Sequence, residues 1–119
     1  MSYYTRLELT WDDRGRSAGE LSADQVLEAA RPLVVAKDWG VDYFLADLRE
    51  SALGGGLDRQ AFNRIEALEL IEVLQGVSYA FPDVHFYVRG IGEEHFDSWA
   101  RHFLAGEVRW GFGPFDPDV

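Results

Sequence analysis

Cysteine is absent from the 119-residue chain, which removes disulfides and thiolate metal sites from consideration. Long apolar runs are missing as well. No stretch approaches the roughly 18 residues that a membrane-spanning helix needs. The opening "MSYYTRLELTW" holds no apolar segment of a secretory leader, so a cytoplasmic protein with no membrane partner is expected. Basic residues are scarce: 11 Lys and Arg stand against 21 Asp and Glu, a formal net charge of −10. Such a chain repels phosphate backbones and anionic lipid at long range and is drawn to basic surfaces. Direct nucleic-acid binding is therefore not expected.

What is present is a globular composition. Apolar residues make up 47% of the chain and aromatics 14%, enough to build a core without metal or disulfides. The length is that of one domain, 1–119.

The first strand reads "YYTRLELTW", where Leu7, Leu9 and Trp11 alternate with Arg6, Glu8 and Thr10. "LSADQV" opens a helix. Ser22 caps it, Gln25 at the third helical position completes a capping box, and Leu21 and Val26 form a hydrophobic staple. Pro32 has no N–H to give, so the helix should kink or restart there. In "WGVDYFLADL", Val41, Tyr43 and Leu45 alternate with Asp42 and Phe44, which predicts a strand. "ALGGGLD" has no Lys-Ser/Thr after its glycines and is a joint, not a phosphate cradle.

A second helix is expected from about Ala61 to Tyr79. Ala67, Leu70, Ile71 and Leu74 share one face, and Glu66, Glu69 and Glu72 form an acidic ridge on another. Phe81-Pro82 stops it. "VHFYVRG" then alternates, with Val84, Phe86 and Val88 on one side and His85, Tyr87 and Arg89 on the other. "FDSWARHFLAGEVRWGF" fits two patterns: Phe96, Trp99, Ala100, Phe103 and Leu104 have helical spacing, while "SWARHF" and "VRWGF" alternate around a glycine turn.

The order "MSYYTR", "IEVLQGVSYAFP", an F-x-V-R-G strand, "GEE", "DSWAR" and "AGEV" resembles a family of small uncharacterised proteins of actinobacteria and their phages. More faintly it is similar to ferredoxin-like domains of phage and plasmid proteins. The likeness covers about the last 55 residues well, the first six loosely and the middle hardly at all. Phe81-Pro82, Gly92-Glu93-Glu94, Asp97 and Trp99 match its pattern; "FLAGEV" departs from the plainer Asp-Gly or Asn-Gly turn of typical relatives. The resemblance favours the hairpin and brings no activity and no catalytic residue. The expected class is α+β: a ferredoxin-like two-layer sandwich, β-α-β-α-β-β-β, with two helices on one face of a mainly antiparallel sheet.

Catalytic motifs are wanting. No serine occupies a G-x-S-x-G elbow, and Ser22 is already a cap. His85, His95, Asp97 and His102 are the set a metal-dependent enzyme would use, yet His95 and His102 are seven apart and no Glu-x-x-His pair is present. A free sheet face carrying His85, Tyr87 and Arg89, with Trp99, Arg101 or Trp110, could stack single-stranded bases. The net charge opposes that, and protein interfaces enrich the same residue types. The expectation is a non-enzymatic, phage-type acidic accessory protein with no cofactor. It would meet a basic protein surface, or a second copy of itself, through Glu66, Glu69, Glu72, Glu93 and Glu94 for charge and Tyr87, Arg89 and Trp99 for the sheet face. Carboxylates offered where phosphates would lie could inhibit a host nucleic-acid-binding defence protein.

Overall fold

A computed structural model describes residues 4–52, 62–63, 67–91 and 98–114. Four antiparallel strands form the sheet in the order β1-β3-β4-β5: β1 (Tyr4–Asp12), β3 (His85–Ile91), β4 (Trp99–Leu104) and β5 (Glu107–Phe112). A two-residue strand, β2 (Phe62–Asn63), adds to the outer edge of β1 through Tyr4 and Thr5. Three helices complete the fold: α1 (Ala23–Ala36), α2 (Val41–Ala52) and α3 (Ala67–Ala80).

The α+β class with an antiparallel sheet is as expected, but the helix number is not. Val41–Ala52 is a helix where alternation predicted a strand. Phe44, Leu45 and Leu48 are buried, a helical spacing, whereas Tyr43 is 85% exposed. Over residues 41–45 both periods fit; Leu48, one turn beyond Phe44, breaks the tie. Asp42 in the first turn and Arg49 in the last also suit the helix dipole.

Two smaller corrections concern α1 and α3. Ser22 and Gln25 make both bonds of the predicted capping box, at 3.2 and 2.9 Å. The helix then runs through Pro32 without restarting. Pro32 and Glu28 lie on the exposed side, so the carbonyl left without its donor can be hydrated. The expected start of the second long helix near Ala61 fails at Phe62–Asn63, which pair with β1; residues 61 and 64–66 lie outside the described residues.

The hairpin reading of the C-terminal segment holds. Ala105 and Gly106 both take positive φ, 53° and 78°, the signature of a two-residue primed turn between β4 and β5. A bulge between His102 and Phe103 leaves Arg109 as the extra residue of β5.

The core lies between one sheet face and the helices. Leu7, Leu9, Phe86, Val88, Trp99 and Phe103 point into it from the strands. α2 packs on β1 and α3 on β3 to β5, while α1 bridges the two helices. Gly76 lets α3 approach α1 closely, since a Cβ there would stand 2.8 Å from Leu33. Among the described residues, no helix is long and apolar enough to cross a membrane.

Candidate functional site

Because strand side chains alternate, the sheet face turned away from the helices is left uncovered by the described residues. The pairing register arranges that open face in rows. The central row runs Thr10, Tyr87, His102, Trp110 across β1, β3, β4 and β5. Glu8, Arg89, Ala100 and Phe112 form the row on one side; Asp12, His85, Leu104 and Glu107 form the row on the other.

The middle of this face is aromatic. Tyr87 stacks on His102 with ring centroids 4.6 Å apart and planes at 20°. Trp110 meets Phe112 edge-on at 5.8 Å. Tyr87, Ile91, Trp110 and Phe112 are 42%, 41%, 58% and 44% exposed, and large apolar side chains left bare together mark contact surfaces. His85 Nδ1 and His102 Nε2 are 2.8 Å apart, a hydrogen bond in which one ring donates and the other accepts. Burial first, then His85 and Arg109, hold the His102 imidazole below the usual histidine range.

Charge on this face is locally cancelled. Arg89 grips Glu8 through Nε and Nη2 at 2.9 and 3.2 Å. Arg14 does the same to Asp12, closing to 2.7 Å, and its hydrogen bonds bring the Asp12 carboxyl down to about 2. Two open hollows interrupt the surface. One of 170 Å³ reaches from Thr10 past Tyr87 to Trp110; one of 410 Å³ lies among Ile91, Ala100 and Phe112. Glu8, Arg89 and His102 also line the smaller hollow, where Glu8 and Arg89 are paired with each other.

Trp99 is not part of this face. It is 1% exposed and stands in the core opposite Gly90. A Cβ on Gly90 would come within 2.4 Å of the indole, so the glycine makes room for it. Register decides the matter: Trp99 pairs with Gly90, which lies on the same face as Val88 and Phe86. Arg101 has the same parity and donates to the carbonyls of Ala100, Phe112 and Gly113, each at 2.7 Å. Burial lowers its affinity for its proton.

The acidic ridge is only partly an open one. Lys37 reaches across from the end of α1 to Glu72 at 3.0 Å and Glu69 at 3.9 Å. Glu66, Glu93, Glu94, His95 and Asp97 lie outside the described residues. Of the four residues named for a metal, the fold brings His85 and His102 together. Among the described residues, no three metal-binding side chains converge. Sequence reasoning grouped His85 with His102 only as metal ligands; it missed their direct hydrogen bond and the Tyr87–His102 stack, which a β3–β4 register would have exposed.

Comparison with protein-family models, curated proteins and solved structures returns no match.

Proposed function

We propose that this protein works by surface contact with protein and not by catalysis, its open sheet face being the contact surface. The observation that carries the reading is the exposed cluster Tyr87, Trp110 and Phe112 around a hydrogen-bonded histidine pair, on a flat surface whose ion pairs are already satisfied. Tyr and Trp are enriched at the centres of protein interfaces because they bury much area at little entropic cost. The acidic ridge supports the charge-mimic form of this role less well, since Lys37 already binds two of its glutamates. An accessory, inhibitor-like role rests on the net charge alone.

Helices on one side of a sheet and, among the described residues, none on the other support the ferredoxin-like likeness at the level of layers. The order of elements supports it in one further respect: β2 and β3 flank β1, each antiparallel to it, and α3 joins them, which is the connection of a split β-α-β unit.

Stacking of single-stranded bases on the Tyr87–His102–Trp110 row is the rival use of the same face. Arg89 and Arg14 are both occupied by carboxylates, which leaves little to hold phosphate. The test is a photo-crosslinker, benzoylphenylalanine, placed in the chain at Phe112 and, separately, at Tyr43 on the helix side. In the native host, position 112 should yield crosslinks to protein and position 43 should not. Crosslinks from position 43 alone, or from neither, reject the reading; a gel shift with oligonucleotide at low salt would favour the rival.

A further inference from the structure

The contact reading leaves the occupant open, and the distribution of charge narrows it. The chain as a whole carries −10. Its described helices hold Asp24, Glu28, Asp42, Asp47, Glu50, Glu69 and Glu72 against Arg31 and Arg49. The open positions of β1, β3, β4 and β5, by contrast, hold Glu8, Asp12 and Glu107 against Arg6 and Arg89. Among the described residues, therefore, the helix layer carries more of the acid excess, and the sheet face is close to neutral. Two copies of an acidic chain repel over most of their surfaces. They can meet sheet to sheet, with both helix layers turned outward and separated by more than the Debye length of about 8 Å.

Resting on the contact reading above, we infer that the occupant of the open face is a second copy of this chain, packed sheet against sheet about a two-fold axis. The size is adequate. Four strands of this length, at about 4.8 Å by 3.4 Å per residue, present a plan area of about 450 Å². Side-chain relief raises the accessible area toward the about 800 Å² per partner of a standard interface.

The face is also complementary to itself. In the row Thr10, Tyr87, His102, Trp110, the two ends differ: a small hydroxyl on β1 and a projecting indole on β5. A two-fold axis along the strands, between β3 and β4, exchanges β1 with β5 and β3 with β4. Each Trp110 then closes over the Thr10 end of its partner's 170 Å³ hollow, and each Tyr87 meets the other copy's His102. Residue i contacts j while j contacts i, as an isologous interface requires. Aligned sheets pack in this way with their strands within about 30° of each other.

Sedimentation equilibrium tests the inference directly. Wild-type chain should appear at twice its 13.5 kDa mass. Trp110→Arg and Thr10→Arg, at opposite ends of the row, should each weaken association at least about thirtyfold, the effect of losing a central anchor. Tyr43→Lys on the helix side should not, and melting of the dilute variants, read separately, should stay close to wild type. Raising the salt should leave the dimer intact or tighten it, because it screens repulsion between two acidic bodies; a complex with a basic partner would loosen. A chain that stays at 13.5 kDa at every concentration, or a dimer indifferent to both sheet-face substitutions, overturns the inference. If the chain is monomeric but position 112 crosslinks to a different protein, the contact reading survives and only the identity of the occupant fails. If position 112 crosslinks to nothing, both fail.

Discussion

The two faces of the same sheet are built from adjacent residues and behave as opposites. On β3, Phe86 and Val88 are buried to 1% and 3%, while their neighbour Tyr87 is 42% exposed. Arginine shows the contrast best. On the open face Arg14 and Arg89 spend their donors on carboxylates. On the covered side Arg101 finds only backbone carbonyls, those of Ala100, Phe112 and Gly113, among the described residues. One face is specified by volume and the other by paired charge and bare aromatic surface, so they should fail in different ways when altered.

The sharpest way to break the comparison is to truncate one aromatic on each side. Phe103→Ala removes a fully buried ring and should cost about 3–5 kcal/mol of unfolding free energy in urea. Trp110→Ala, a larger deletion at a residue 58% exposed, should change the stability of the dilute chain by no more than about 0.5 kcal/mol. Equal losses would mean that the open face is part of the core. The next effect is the opposite operation, adding volume. Gly90→Ala drives a methyl group into the Trp99 indole and should cost about 1–3 kcal/mol, read as a lowered melting temperature. Pairing it with Trp99→Leu should return part of the loss, because the obstruction is then gone.

Much of this division was legible beforehand. The alternation in "LELTW" and "VHFYVRG" placed Leu7, Leu9, Phe86 and Val88 inward and Tyr87 and Arg89 outward, because a period of two leaves no freedom once one face is buried. The capping box at Ser22 and the turn at Gly106 were equally local. What could not be read was whatever depends on a partner element. Trp99 was assigned to the open face because β4 contains alternating residues of both kinds. Only its pairing with Gly90, which leaves space for an indole, fixes which set is buried. The helix at Val41–Ala52 was lost in a five-residue window that suits either period. The His85–His102 bond joins residues 17 apart and has no local signature at all.

A smaller effect separates the faces by pH. His102 is held below the usual histidine range by burial, His85 and Arg109, so the unfolded chain takes up its proton more readily than the folded one. Stability must therefore fall as pH drops below about 6.5, and continue falling until the folded imidazole is itself protonated. His102→Gln removes the titrating group. The difference in melting temperature between pH 7.5 and 5.5 should shrink in that variant, and an unchanged difference would assign the effect elsewhere.

Asp12 supplies the smallest effect and the opposite pH range. Hydrogen bonds from Arg14 lower its carboxyl from 3.8 to about 2, so the folded state holds the charged form more strongly than the unfolded one. The stabilisation is fully present above 3.8 and is lost as pH falls toward 2. Because the pair is exposed, water and salt screen it, and its weight in stability is slight. Its value lies in the open face, where it neutralises an acid beside His85. A carboxyl carbon titration by NMR should show Asp12 well below 3.8, and Arg14→Gln should bring it back toward that value. If the inferred pairing of copies depends on a near-neutral sheet face, the same substitution should also weaken association, and high salt should restore it. An Asp12 that titrates normally in the wild-type chain would remove the local cancellation on which that neutrality rests.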